Sequence, residues 1–501
     1  AIGRQAMYVN TTGACNTALG TYAMNCNTTS CYNQAVGHSS LYCNTVGVYN
    51  NAMGYCALYG SLSGDHNNAF GFGVLHKNYG GSGNEAIGRQ ALACNRFGSC
   101  NQALGYRAAF SNTTGCYNAV MGCYALYTNT TAGCNVAIGG AAMSCNTGGA
   151  GGTNVAVGYG ALKLGVSGWG NIAIGYDAGC KYWGQYPSMF IGYSAGRFTT
   201  NGTGNSFIGK CAGFCNTTGA SNTFIGTDAG KGNTTGSSNI AIGTNAGPAE
   251  ANAYAHNESI FIGSAAGSCN AAGYQTLIGG NAGRYLEGGG SNVVVGHNAN
   301  RGSCGNTTGY YNTSIGTCAN YAVTTAGSTV AVGYKASAST TTGAQNTVIG
   351  ACAMCTNTTG GYNVAVGYQA LRTNLDTHYN TAVGYQALIS NTGSNNTAVG
   401  FNTGYYNTTG NSNTSVGNKA AHCNTTGCYN TAVGDNALLK NITGCSNVSL
   451  GYNTLYNANS GGCNVAIGEC ALYDNWGGTN NVAVGRCSLR NNTTGTRNIA
   501  L

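Results

Sequence analysis

The sequence predicts an all-β fold, a parallel β-solenoid (β-roll) of about 29 coils with a 17-residue repeat. Three observations carry that expectation. A five-residue apolar motif ending in glycine recurs along the whole chain, the motif glycines fall 17 residues apart at nearly every step, and glycine and asparagine recur too often for helix.

The motif reads NTALG at 16–20, NQAVG at 33–37, NEAIG at 84–88, NVAIG at 135–139, NTFIG at 222–226, NTAVG at 380–384 and NVAVG at 481–485. A β-branched or apolar residue bounded by turn formers reads as a short strand. The segment that follows, typified by Y-x-A-L, reads as a second strand. N-T-T-G then closes the coil with a residue that tolerates left-handed backbone angles. Each Gly or Asn costs a helix roughly 0.5–1 kcal/mol against good formers. Such a unit cannot bury its apolar face alone, so successive coils are expected to stack in parallel register.

The expected organisation is one continuous solenoid over 1–501. Within it, coils carrying A-L after the glycine (1–170 and 301–501) flank a block (171–300) carrying A-G with phenylalanine two places before the glycine. Exchanging Leu for Gly beside Ala for Phe conserves core volume, so the middle block reads as a packing variant. Interruptions such as GPAEANAYAHNES at 247–259 read as loops.

Alanine stands three places after the glycine in most coils, among them Ala23, Ala57, Ala161 and Ala387. Side chains alternate along a strand. If the small residues fill a narrow interior, then Val36, Ile87, Ile138, Val157, Ile174, Val366, Val383, Val433 and Ile467 form an outward aliphatic stripe, a candidate oligomer surface. A rounder coil would hold that stripe inside and leave a monomer.

Only 6% of the 501 residues are charged, against about 25% in an ordinary soluble domain. The +8 net charge is scattered, which gives no reason to expect nucleic acid as a partner. No run of 18 apolar residues predicts a membrane span. AIGRQAMYVN has no basic stretch before an apolar core, so a signal peptide is expected to have been removed or to lie upstream.

The 25 cysteines favour an oxidising location, extracellular or on a cell or virion surface. Pairs at or near the coil period are candidate inter-coil disulfides: Cys26 with Cys43, Cys428 with Cys445, Cys470 with Cys487, Cys15 with Cys31, and Cys100 with Cys116. A ladder of free thiols acting as small hydrophobes is the alternative. The sequons at Asn10, Asn27, Asn112, Asn129, Asn216, Asn233, Asn357, Asn407, Asn424, Asn441 and Asn492 are candidate N-glycosylation sites. Equally, these turn residues satisfy backbone and bond to the next coil.

Catalytic chemistry finds no constellation. Histidines and carboxylates fall at different coil phases, so no acid/base pair recurs. Cys352 and Cys355 form a CxxC with no second pair at zinc spacing. GNSFIGKC at 204–211 nearly matches a phosphate-binding loop, but Cys211 stands where Ser or Thr is required. Neither metal nor cofactor is expected.

NVAIG, NIAIG and NTAVG, with alanine after the glycine, resemble the head repeats of YadA-like trimeric autotransporter adhesins. They are also similar to NTAVG-type repeats of tail-fibre proteins. The resemblance covers essentially the whole chain and implies a trimer of parallel left-handed β-rolls with a role in surface attachment.

The expected function is accordingly a non-enzymatic, self-assembling extracellular fibre subunit or fibre shaft, with itself as partner in a lateral trimer, a head-to-tail filament or both. Strands cut in mid-coil at each end of the sequence suggest the head-to-tail contact. The second expectation is an adhesin or tail fibre binding glycans or cell surfaces, with Tyr159, Tyr176, Tyr193, Tyr334, Tyr368 and Tyr385 as stacking platforms. A third is ice binding through Thr/Asn ladders, against which the paired threonines are adjacent and so point to opposite faces.

Overall fold

The structure is a computed structural model describing every residue except 148–151, 166–167, 250–256, 271 and 304–306. It is a parallel β-solenoid with one short strand per coil: β1 (Thr17–Leu19), β2 (Gln34–Val36), β3 (Asn51–Met53) and so on to β29 (Ile499–Ala500). Two compact units are present, Ala1–Asn257 with β1–β14 and Glu258–Leu501 with β15–β29. The division falls within the GPAEANAYAHNES interruption.

Within each unit every strand pairs in parallel with the next, in register on equivalent residues. Thr17 lies on Gln34, Ala18 on Ala35 and Leu19 on Val36; in the second unit Thr381 lies on Thr397, Ala382 on Ala398 and Val383 on Val399. Counting the motif glycine as coil position 0, the strand occupies positions −3 to −1. The middle residue, −2, points inward and is buried in every three-residue strand. It meets the alanine at +3 and the residue at +4, so Ala35, Leu41 and Ala57 belong to one interior.

Glycine at position 0 is required twice over. Gly105 has φ +139°, and a methyl group placed on it would lie 2.6 Å from the carbonyl oxygen of Gly122 in the next coil. An L side chain is strained at that φ and collides with the neighbouring backbone. The glycine of N-T-T-G is selected differently. A methyl on Gly98 would meet the Gly115 oxygen at 2.4 Å and the Asn95 Oδ1 at 2.5 Å, and its φ is not in the left-handed region. Left-handed backbone lies instead at +2, +4 and +12, as in Tyr22 (61°), Met24 (48°) and Tyr32 (61°).

That distribution corrects the expected second strand. Y-x-A-L takes left-handed backbone at its second and fourth residues and forms a turn, although it still bonds between coils: the Leu41 N–H to the Ala57 oxygen at 2.9 Å and the Cys43 N–H to the Tyr59 oxygen at 2.9 Å. Left-handed backbone costs a residue such as Leu41 roughly 1–2 kcal/mol. Full burial of its side chain returns about 1.5–3 kcal/mol, so the strain is tolerated.

The volume exchange expected of the middle block is visible atom by atom. Phe207 at −2 is fully buried, and a methyl on Gly213 at +4 would lie 2.4 Å from its ring. Phe190 fills the space beside Gly196 in the same way, and Phe224 that beside Gly230. The ring occupies the volume that Leu occupies in the A-L coils.

Two asparagine ladders finish the interior. At −4, Asn101 donates its own N–H to the Asn84 Oδ1 at 3.0 Å, its Nδ2 to the Gly115 oxygen at 2.8 Å, and its Oδ1 accepts the Asn118 N–H at 3.0 Å. At +7, Asn95 donates Nδ2 to the Asn78 Oδ1 and to the Gly98 oxygen, each at 2.8 Å. The N-T-T-G turn is therefore closed from inside by its own asparagine.

Candidate assembly surface

Because −2 points in, −3 and −1 point out on the same face of each strand. Position −1 is Val, Ile, Leu, Met or Phe in all the three-residue strands. Ile87 is 49% exposed, while Ala86 beside it is fully buried. Ile138, Ile174, Val433 and Ile467 are exposed, and Val36, Val157, Val366 and Val383 half-buried. All nine stripe residues thus lie on the outer face, one column per unit, and the rounder coil that would have swallowed them is not what forms. Position −3 varies among Thr, Gln, Asn, Glu, Val, Ile, Ser, Met and Ala.

The sequon asparagines point the other way. Asn27, Asn112, Asn129, Asn216, Asn233, Asn357, Asn407, Asn424 and Asn441 are buried in the +7 ladder, with Nδ2 donating to the turn carbonyl three residues on, as Asn441 does to Gly444 at 2.9 Å. A glycan on any of these amides requires the coil to open, and the folded structure displays their bonding role. Asn10 and Asn492 are half-buried.

All ten candidate disulfide cysteines are free thiols. A 16-residue spacing puts Cys15 at +12 and Cys31 at +11, and likewise Cys100 and Cys116, so these pairs occupy different columns. The Cys31 Sγ instead accepts the Ala14 N–H at 3.3 Å and donates to the Thr29 oxygen at 3.6 Å; Cys116 does the same with Ser99 and Thr114. Both thiols of the +11 column are thus held by backbone hydrogen bonds. Cys428 and Cys445 share the +11 column and the same bonding, the Cys428 N–H donating to the Cys445 Sγ at 3.2 Å. Asp65 serves identically for the Val48 N–H, so the column selects any short acceptor. Cys26 lies near Cys43, and Cys470 near Cys487. Burial, and then the companion sulfur, pushes the Cys43 and Cys470 thiols up from their ordinary range.

Outward tyrosines stack on one another. Tyr159, Tyr176 and Tyr193 form a column with centroids 5.4 and 5.3 Å apart, and Tyr368, Tyr385 and Phe401 another at 5.3 and 5.2 Å. The Lys335 ammonium lies 5.3 Å from the Tyr334 ring centroid. Within such a column ring faces cover each other, leaving edges for a ligand. These ladders were not foreseen as stacks.

GNSFIGKC is an ordinary coil: Ser206–Ile208 is β12 and Gly209 the stacked glycine. Among the described residues no helix is long and apolar enough to cross a membrane, and no group of three or more His, Cys, Asp or Glu could hold a metal. Burial, and then Cys352, raises the Cys355 thiol.

Comparison with protein-family models, curated proteins and solved structures returns no match.

Proposed function

We propose that this chain is a non-enzymatic subunit of an extracellular structural fibre, assembling side by side with copies of itself through the outer strand face. The supporting observation is the unbroken −1 column. With fourteen strands in the first unit each ending in an apolar side chain, the stripe exposes on the order of 1,000 Å², against about 300–600 Å² for the largest patch of a typical monomer. A stable interface buries about 800 Å² per partner. The rest of the molecule suits a scaffold, with the interior asparagines of the −4 ladder, such as Asn101, bonded to their own neighbours.

The test is assembly state. Sedimentation velocity over a range of concentrations is expected to show discrete homo-oligomers that dissociate in Ile138→Lys/Ile174→Lys. Both positions face outward, so the coil survives the change. A monomer at every concentration, or oligomers indifferent to the lysines, would refute it. Glycan attachment draws less support, because Tyr159, Tyr176 and Tyr193 stack on one another and Tyr368 and Tyr385 do the same with Phe401. Ice binding draws less still, since turn threonines such as Thr425 donate their hydroxyls to the next coil, here to the Ile442 oxygen at 2.9 Å.

A further inference from the structure

Arg284 and Arg301 occupy one coil position, +5 after Gly279 and Gly296. The backbone holds them in adjacent coils, the Cys269 N–H bonding to the Arg284 oxygen at 2.9 Å and the Tyr285 N–H to the Arg301 oxygen at 3.0 Å. Two guanidinium groups therefore share one strip of surface. Neither pairs with a carboxylate among the described residues, whose three ion pairs are Arg197 with Asp177, Lys231 with Asp228, and Arg486 with Glu469.

Their contacts are aromatic and neutral. The Tyr285 centroid lies 5.1 Å from the Arg284 Cζ and 5.5 Å from that of Arg301, so one ring serves both cations. Arg301 Nη1 donates to the Tyr321 hydroxyl at 2.6 Å, and Arg284 Nη1 to the Asn281 Oδ1 at 3.4 Å. The Nε–H of each arginine is shut from water and has no acceptor. Both residues as a whole are half-buried, so an anion is to be met through their Nη groups and not through the sealed Nε–H. A second arginine pair is a natural control: Arg89 and Arg107 flank Tyr106, but there the Arg107 Nε is already committed to the Gln90 Oε1 at 2.8 Å.

We propose that Arg284 and Arg301 form a binding site for a tetrahedral oxyanion of the sulfate or phosphate type, held between the two guanidinium forks beside Tyr285. The repulsion of two like charges in neighbouring coils, neither in an ion pair among the described residues, is relieved by an anion between them. A guanidinium binds such groups through paired N–H donors. A tetrahedral anion offers oxygen pairs in two planes, one for each fork, whereas a planar carboxylate offers one. The site is independent of the assembly reading, because it lies within a single chain.

The full chain would be titrated with sodium sulfate, and separately with sodium acetate, at ionic strength held constant with sodium chloride, following heat and thermal midpoint. Sulfate is expected to bind saturably and acetate at least tenfold more weakly. Arg284→Gln and Arg301→Gln should each weaken sulfate at least tenfold, with Arg89→Gln unchanged; Arg301→Lys, which retains the charge without the fork, should weaken it several-fold. Circular dichroism of each variant verifies the fold. A sulfated oligosaccharide and its desulfated form make the second arm: tighter binding of the sulfated form than of free sulfate extends the site to saccharide-borne groups, and equal binding limits it to the free anion, both upholding the site. Absence of saturable sulfate binding, acetate binding equally well, or Arg89→Gln losing as much as Arg301→Gln would overturn it.

Discussion

Replacing Asn101 by alanine tests the interior ladder at a point where the losses can be counted. The amide donates to the Gly115 oxygen and the Asn84 Oδ1, and accepts from the Asn118 N–H and Nδ2. After truncation Gly115 keeps the Asn112 Nδ2 at 2.9 Å, and the Asn118 Nδ2 keeps the Ala132 oxygen at 3.1 Å. Only the Asn118 N–H is fully orphaned. One orphaned buried group at about 1–3 kcal/mol, with two or three net bonds at about 1 kcal/mol each, gives roughly 3–6 kcal/mol. Asn101→Asp keeps the shape but points an anionic oxygen at two acceptors, and should cost more. Asn101→Ser should be milder, since Ser188 occupies the same position naturally and its Oγ accepts the Asn205 N–H at 3.2 Å. Urea denaturation by circular dichroism gives the magnitudes. Hydrogen exchange should localise the damage to neighbouring coils, because a solenoid's stability is a sum of nearest-neighbour terms. An aspartate no worse than alanine, or an alanine costing no more than Gln102→Ala on the exposed outer face, would refute the ladder as a source of stability.

Phe207→Ala should cost about 3–5 kcal/mol, and Gly213→Leu alone should also destabilise, since the ring fills that space; combined, they recreate an A-L coil and should recover much of the loss in a double-mutant cycle. Burial, and then Lys77, holds the His76 imidazole below its ordinary value of 6.5. The unfolded chain thus binds the proton more readily, and the His76 contribution, intact above pH 6.5, is lost as the pH falls through that value towards the folded one. Stability measured in urea at pH 7.5 and pH 5 should fall, and less steeply in His76→Asn. Alkylation at pH 8 followed by mass spectrometry should label exposed Cys15, Cys134 and Cys463 before Cys43, Cys180 and Cys355, whose thiols burial keeps protonated; equal rates would show that burial does not control their reactivity.

The stack was legible because its constraint repeats. Gly105 must be glycine for the reason Gly122 must be, so the 17-residue period appears in the letters themselves, and the in/out alternation of Ala86 and Ile87 follows from strand geometry alone. Burial of the sequon asparagines was also in reach: Asn at −4 and +7 persists from coil to coil, while exposed −3 changes from Gln102 to Ala119 to Val136. Twenty-nine coils are their own alignment, and a polar residue that recurs in most coils beside neighbours that change is an interior one. The single strand per coil was not legible, because Y-x-A-L carries apolar residues at strand spacing and nothing in their identity shows that Leu41 or Leu58 takes left-handed backbone. Cys15 and Cys31 fall in different columns for a simpler reason: one residue of phase separates columns as fully as it separates faces.

The scarcity of charge follows from the same register. In a parallel in-register stack each side chain lies about 4.8 Å from its counterpart in the next coil, so a charge repeated at one position faces itself, at a cost of about 1 kcal/mol per neighbour even in water. Asn, Thr, Tyr and Cys gain from lying on their own kind, as the ladders show. Some charges that enter a column meet their opposite or a neutral amide: Arg486 lies on Glu469 at +1, and Asp435 on Asn418 at the same position. Elsewhere charge lies against rings, with twelve cation–π contacts to three ion pairs among the described residues. Arg284 and Arg301 depart from that rule, like charges in one column with unmet donors, and the departure itself distinguishes a site from the repeat around it.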